Sequence, residues 1–324
     1  MKELQDLKGQ FENYLFRQIP EKQPETLYKP LHYVLQNGGK RIRPLLVLLA
    51  TRTFGENQEM GLPAAAAIEI FHNFTLIHDD IMDKASIRRG KPTVHRKWDE
   101  NIAILSGDTM LVWAYKMLEK YDAEIYKKLS ALLNQTAIEV CEGQQMDMDF
   151  ENRKEVSIDE YITMIRLKTA VLLGTALQFG AIVSRTNTEN MKHIYKFGVQ
   201  LGLAFQIQDD YLDAFGDSNH FGKKIGGDII DRKKTFLYIK ALQKAQEKDK
   251  EFLFNLYEKP ASDTRKQIDE VMTIYTKYKI DSEAKKQINY YTESALQALN
   301  AIDADDKEKS FWKQFALYLM NRSK

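Results

Sequence analysis

IEIFHNFTLIHDDIMD, residues 68–83, decides the fold class of this chain. Its apolar side chains fall at Ile70, Phe71, Phe74, Ile77 and Ile81, the three-to-four spacing of a helix with one buried face. The same stretch ends in Asp79-Asp80-Ile81-Met82-Asp83, so a core helix delivers a set of carboxylates to its own C-terminal end. Working outward, the helical period returns over 98–118, 124–148, 158–183, 189–213, 235–257, 281–301 and 308–322. Only seven prolines occur, and none lies between Pro92 and Pro260. Proline breaks helices and central strands alike, so this gap permits long regular elements. Strand-like alternation is nearly missing. The reading is all-α, a single domain over 1–324, with about ten core helices. Breaks are expected at Gly38-Gly39, at 84–97 and at 214–230; all three are rich in glycine or in Lys and Arg, as ligand loops are.

The 324 residues include 47 Lys+Arg and 46 Asp+Glu, a formal net charge of +1, which gives no support to a general nucleic-acid binder. Apolar residues make up 44% and charged residues 29%, the mixture of an ordinary globular protein. The one cysteine, Cys141, excludes an internal disulfide and fits a reducing, cytoplasmic compartment; its helix position predicts a core residue. No stretch is expected to reach the roughly 20 apolar residues of a membrane span, and the N-terminal MKELQDLKGQFENYLF lacks the apolar region of a signal peptide.

Asp79-Asp80-x-x-Asp83 recurs as Asp209-Asp210-x-x-Asp213. With 23 Asp in the chain, chance supplies about a tenth of one such motif, and far less of two. Both follow apolar turns, FTLIH and GLAFQIQ, instead of lying in a polar surface run. On a helix, residues four apart sit about 40° from each other, so Asp79 and Asp83 share a face. Their mutual repulsion is relieved if a cation bridges them, and hard oxygen ligands of this kind suit Mg²⁺, which takes one or two carboxylates plus substrate phosphates. His72 lies seven residues before Asp79, on nearly the same face; Gln206 lies three before Asp209, and Gly198 and Gly202 on that side leave room for a ligand or a close helix.

Cations are interleaved with these carboxylates: Lys40, Arg41 and Arg43 after Gly38-Gly39; Arg88 and Arg89 after the first motif; Lys223 and Lys224, then Arg232, Lys233 and Lys234, after the second. Arg binds phosphate oxygens in bidentate fashion and Lys as a point charge. Two carboxylate sets with four cation clusters imply two diphosphate sites.

The chain thereby resembles the trans-isoprenyl diphosphate synthases, the polyprenyl synthetase family. GGKRIRP (38–44), DDIMD followed by RRG, Gly143-Gln144, Lys168-Thr169, GLAFQIQDDYLD (202–213) and FGK followed by GGD match in order. The resemblance implies an isoprenoid-synthase-type bundle around a central cavity, with the two aspartate motifs facing each other, usually in a homodimer. It implies that Asp79, Asp80, Asp83, Asp209, Asp210 and Asp213 hold Mg²⁺, three ions per active site, on an allylic diphosphate. Arg88, Lys168, Thr169, Gln206, Lys223 and Lys233 would line that site, and Lys40, Arg43, His72 and Arg89 would bind isopentenyl diphosphate. The chain departs from the family at Asp231-Arg232-Lys233-Lys234-Thr235, where many members carry Gly-Lys before the Thr, so either Lys233 or Lys234 is the diphosphate contact.

The reaction so implied is head-to-tail prenyl transfer: the allylic diphosphate ionises, the double bond of isopentenyl diphosphate attacks, and a proton is lost. Phe71, Phe74 and Thr75 precede Asp79 by eight, five and four residues, about 6 to 12 Å below the carboxylates at the helical rise. An aromatic there would act as a floor for the growing chain. Phe74 with Thr75, and no insertion inside DDIMD, is similar to the geranylgeranyl-forming type; a farnesyl-forming enzyme is the alternative, since Phe71 would raise the floor. A class I terpene cyclase is disfavoured by the second DDxxD and by GGKRIRP, and a non-catalytic subunit by the retention of both acidic motifs.

Overall fold

The computed structural model describes residues 2–216, 226–258 and 263–320. Two compact units emerge: unit 1 comprises Met1–Asn134 with Thr175–Lys192, and unit 2 comprises Gln135–Gly174 with His193–Lys324.

Unit 1 is built from α1 (Lys2–Phe16), α2 (Glu25–Gln36), α3 (Ile42–Thr53), α4 (Leu62–Met82), the single turn α5 (Val94–Lys97), α6 (Glu100–Leu118) and the first part of α7 (Ala123–Asn152). α4 is the central helix: Ala64–Ala67, Ile68, Ile70 and Phe71 are fully buried, and it runs along α6 with α3 at its flank. Small residues allow these approaches. A Cβ at Gly107 of α6 would come within 2.6 Å of the His78 ring on α4, and one at Gly180 within 2.7 Å of Ala50 Cβ on α3. Asp99 caps α6 by accepting the Ile102 N–H at 2.8 Å.

Among the described residues the sole sheet is a hairpin inside the expected 84–97 break, Ile87–Arg88 paired antiparallel with Lys91–Pro92. Its two turn residues, Arg89 (φ 53°) and Gly90 (φ 74°), are both left-handed, as a tight type I′ turn demands.

Unit 2 holds the end of α7, α8 (Ile158–Ile165), a π-helical turn Arg166–Ala170, the start of α9 (Val171–Val183), most of α10 (Thr188–Phe215), the single turn α11 (Gly227–Ile230), α12 (Phe236–Lys244), α13 (Glu247–Glu258), α14 (Thr264–Lys277), α15 (Ile280–Asn300) and α16 (Asp306–Met320). Phe150, Tyr161, Ile207, Phe236 and Tyr275 anchor its core. α8 opens on a capping box: Ser157 Oγ accepts the Glu160 N–H at 3.2 Å and Glu160 Oε2 accepts the Ser157 N–H at 2.9 Å.

The all-α expectation holds, with four corrections. The helix expected over 235–257 is two, because Ala245 turns extended (ψ 143°) and the Gln246 N–H is taken by the Tyr278 hydroxyl at 2.9 Å. The helix expected over 158–183 is interrupted by the π turn over Arg166–Ala170. Cys141 is exposed, on the outer side of α7. Two stretches, Gln58–Met82 and Ile158–Val183, are long and apolar enough for a membrane span, contrary to expectation; they are 61% and 78% buried within the protein, as core helices are.

Candidate active site

The last turn of α4 presents the first motif with graded exposure. Asp79 is half-buried, Asp80 is 4% exposed, and Asp83 is exposed as the C-cap, its N–H bonded to the Asp79 carbonyl at 2.8 Å. Burial pushes the Asp80 carboxyl above its usual range, and Arg88, whose Nε donates to Oδ1 at 2.7 Å, draws it back. The hairpin therefore places Arg88 on the motif and Arg89 at the turn. Arg89 donates to the Gly38 carbonyl, and its guanidinium occupies the space a Cβ at Gly39 would fill, with Cζ 3.0 Å away. Gly39 has φ 132°, so both its backbone and its missing side chain are used.

Arg43 and His72 meet in the same unit, Nη1 of Arg43 lying 3.2 Å from Nε2 of His72. Burial and then the positive charges of Arg43, Arg89, Arg88 and Arg41 hold the imidazole well below its usual pKa. The ring is thus neutral, Nε2 accepts from Arg43, and Nδ1 carries the proton. Burial also lowers Arg43 to about 10, still charged at neutral pH. Lys40 is exposed on the same loop. Arg41 points inward instead. Its Nη1 donates to Glu69 at 2.6 Å, its Nε to Glu12 at 3.1 Å, and its Nη2 to the Leu35 carbonyl. Asn73, fully buried, donates to Glu69 Oε1 at 3.1 Å. Below the motif, Phe71 is fully buried, with its ring 5.7 Å from that of Phe74; Phe74 in turn meets the His78 ring edge-on at 4.8 Å. Thr75 Oγ1 is turned back on the His72 carbonyl at 2.8 Å.

In unit 2, a cavity of about 190 Å³ brings together Lys168, Thr169, Gln206, Asp210 and Lys233. The π turn supplies two of these. Gly143 makes room for it, since a Cβ there would press on the Lys168 backbone nitrogen and come within 2.8 Å of Lys168 Cα. Gly202 receives it from the other side, 2.7 Å separating such a Cβ from Ala170 Cα. Gly202 thus makes room for a close segment and not for a ligand. Lys168 Nζ pairs with Asp147 Oδ2 at 2.5 Å, and Thr169 Oγ1 donates to Gln206 Oε1 at 3.3 Å. Asp210 is buried. It accepts from the Tyr161 hydroxyl, from Gln206 at 3.3 Å and from the Phe236 N–H at 3.3 Å. Burial, with Asp228 nearby, raises its carboxyl to about 8. Asp209 is half-buried beside it. Asp213 Oδ2 accepts the Asp228 N–H at 3.0 Å, which ties the motif to α11. Lys223 lies outside the described residues. Lys234 also lines this cavity, but its Nζ caps the end of α7 through the carbonyls of Phe150 at 2.5 Å and Glu151 at 3.2 Å, while Lys233 stays exposed, 3.9 Å from Asp228.

Sequence reasoning missed Tyr161, Asp147, Asp228, Glu69 and Asn73. Asp147 stands four residues after Gly143, on the same helical face, and that spacing was available in the sequence. Tyr161 carries no such signal. Among the described residues no three His, Cys, Asp or Glu side chains form a ready-made metal cage. The donors the two motifs do offer are carboxylate oxygens, hard ligands of the kind that suit Mg²⁺, which takes few protein carboxylates and completes its shell with water and phosphate.

Gly143→Ala is expected to lower stability by about 1–3 kcal/mol by overpacking, because the new methyl meets backbone and not a flexible side chain. Thermal melting checks this; an unchanged midpoint would refute the role of Gly143 in seating the π turn.

A polyprenyl synthetase family model matches residues 24–275. The chain is 38% identical over 306 residues to a geranylgeranyl diphosphate synthase of Methanosarcina mazei, covering 94% of this chain and 92% of that one. It is 38% identical over 321 residues to the enzyme of the same name from Saccharolobus solfataricus, covering 96% and 95%. A crystal structure of a geranylgeranyl pyrophosphate synthase superposes with a TM-score of 0.94 at 44% identity, covering 98% of both chains.

Proposed function

The chain belongs to the polyprenyl synthetase family, and from that premise we propose that it condenses isopentenyl diphosphate with an allylic diphosphate to give geranylgeranyl diphosphate. The observation that carries this reading is that each unit holds an aspartate motif with cations beside it, as metal-assisted ionisation of an allylic diphosphate requires.

In this reading Asp79, Asp80 and Asp83, with Asp209, Asp210 and Asp213, would hold Mg²⁺ for the allylic diphosphate, three ions by resemblance. When bound, Mg²⁺ neutralises the charge that grows on the leaving diphosphate. Arg88, Lys168, Lys233 and, by resemblance, Lys223 add fixed positive charge to the same oxygens. Lys233 is assigned the diphosphate contact that Lys234, engaged as a helix cap, leaves to it. Lys40, Arg43 and Arg89 hold isopentenyl diphosphate, and neutral His72 directs its Nδ1–H. The bond between C1 and the diphosphate oxygen breaks, and the isopentenyl double bond attacks C1. The departing diphosphate takes the proton, so no side-chain base is assigned. The Thr169 hydroxyl and the Gln206 amide stabilise the transient carbocation. Exclusion of water protects that cation from hydrolysis.

All of 1–324 serves as one functional domain, and we assign it to the cytoplasm on its single cysteine, which rules out an internal disulfide. A homodimer is supported by an apolar stripe on α6: Ile104, Leu105 and Val112 are 41%, 58% and 66% exposed, and no nucleic-acid partner is invoked. Incubation with Mg²⁺, isopentenyl diphosphate and each of dimethylallyl, geranyl and farnesyl diphosphate tests the whole reading; no condensation with any primer would overturn it. Phe74, backed by buried Phe71, is the chain-length ruler in this proposal. Phe74→Ala is expected to shift the main product to longer prenyl chains, read by chromatography of the dephosphorylated alcohols, whereas an unchanged product removes Phe74 from that role.

A further inference from the structure

Unit 2 contains a second cavity, of about 510 Å³, that shares Lys234 with the carboxylate site. Arg153, Lys154, Arg232 and Lys234 line it, against two opposing charges, Glu151 and Asp231. Lys154 Nζ lies 5.7 Å from the centre of the Phe254 ring, at the cavity wall, and Arg153 is steadied by Glu160 at 2.7 Å.

Arg232 makes this more than a cluster of surface cations. It follows α11 in a complete Schellman turn: the Arg232 N–H bonds to the Ile229 carbonyl at 3.1 Å and the Lys233 N–H to the Asp228 carbonyl at 2.9 Å. The residue at that point of the turn is left-handed, with φ 55°, and is ordinarily glycine. Lysine or arginine stands at every left-handed non-glycine position among the described residues, Lys84 and Lys279 included, so the backbone angle by itself assigns no role, and the place of Arg232 in the cavity wall does. Arg41 and Arg185, also left-handed, are held by carboxylates, Glu69 and Asp122, whereas Arg232 lines the cavity beside other cations. Burial lowers the Lys234 ammonium, Glu151 draws it back up, and the charges of Arg153 and Arg232 lower it again, so both guanidinium groups lie within electrostatic reach of Lys234.

The geometry points to a second anion site in unit 2, formed by Arg153, Lys154 and Arg232 beside the helix-capping Lys234, that takes a diphosphate group. The choice of ligand class rests on the reaction proposed above, which releases inorganic diphosphate and makes a prenyl diphosphate. Lys234 stands in the wall common to both cavities, so an anion leaving the carboxylate site meets this one next.

Calorimetric titration of the full chain with sodium diphosphate is expected to show two binding events per chain. Arg232→Gly combined with Lys154→Gln should remove or weaken one of them by about tenfold or more, since charge-assisted bonds to phosphate are the strong ones. Lys233→Gln should weaken the other. Arg232→Gly relieves the turn and is expected to melt no lower than wild type, so lost binding cannot be ascribed to unfolding. A second titration with farnesyl diphosphate distinguishes the sources: competition at the Arg232 site assigns it to the prenyl diphosphate head group, and no competition assigns it to the free anion. A double variant that binds diphosphate like wild type overturns the proposal. Product formation by the wild type, assayed apart, tests the underlying reaction by itself.

Discussion

Asp209→Ala is expected to reduce turnover with Mg²⁺, isopentenyl diphosphate and farnesyl diphosphate by about 100- to 1,000-fold, the range seen when a group that stabilises transition-state charge is removed. Asp209 is half-buried on α10, next to Asp210, which is locked among Tyr161, Gln206 and the Phe236 amide. Asp209 itself lies outside the buried core, so the variant should fold and melt much like wild type while losing rate. Asp79→Ala on α4 is expected to behave alike. Initial-rate assays check this, and near-wild-type turnover in both variants would sink the metal-ligand assignment.

Arg41→Leu is expected to cost about 3–5 kcal/mol of stability, more than the Gly143 substitution, because it leaves the Glu69 carboxylate buried without its partner. Glu69 is 2% exposed, and Arg41 reaches it at 2.6 Å from a left-handed backbone position. Replacing both residues, Arg41→Leu with Glu69→Leu, should recover much of the loss, since a buried pair is often worth little more than its apolar substitute. Chemical denaturation of the single and double variants decides the point. Equal loss in both would mean that the Arg41 contacts to Glu12 and the Leu35 carbonyl, and not the buried pair, set the stability.

The fold class was legible because burial imposes a period. Ile70, Phe71, Phe74, Ile77 and Ile81 must face one way if α4 is to bury a face, and that constraint is written in spacing alone. The aspartates were legible for a related reason: carboxylates four apart on a helix are costly without a cation, so their recurrence stands out. Less could be read where the chain leaves the regular period. The π turn at Arg166–Ala170 carries no signature of its own in the residues RLKTA, and only the bare backbone of Gly143 against Lys168 hints at it. Tyr161 reaches Asp210 across 49 positions, a distance at which spacing carries no information. Arg41 and Arg43 look alike in GGKRIRP, yet one turns into the core and the other to His72; the left-handed φ at Arg41 makes that difference, and a backbone angle is not written in the residue letters. At Arg232 the reverse holds, since its departure from glycine was visible and its strained backbone was not.

The π turn has a further consequence for how this chain can change. A π turn holds one residue more than the α-helical path it replaces, so it behaves as an insertion preserved in place. Deleting any one residue of Arg166–Ala170 would restore an ordinary helix whose flanking turns keep their faces, and the loss would fall on the turn itself. Lys168 and Thr169 would leave the cavity, and the Ala170 backbone would lose its seat against Gly202. Lengthening the turn meets a different limit, because the Lys168 backbone already lies against Gly143 with no room for a methyl. Drift along this stretch must therefore proceed by substitution at constant length, and the reading frame of the site is guarded by a single surplus residue.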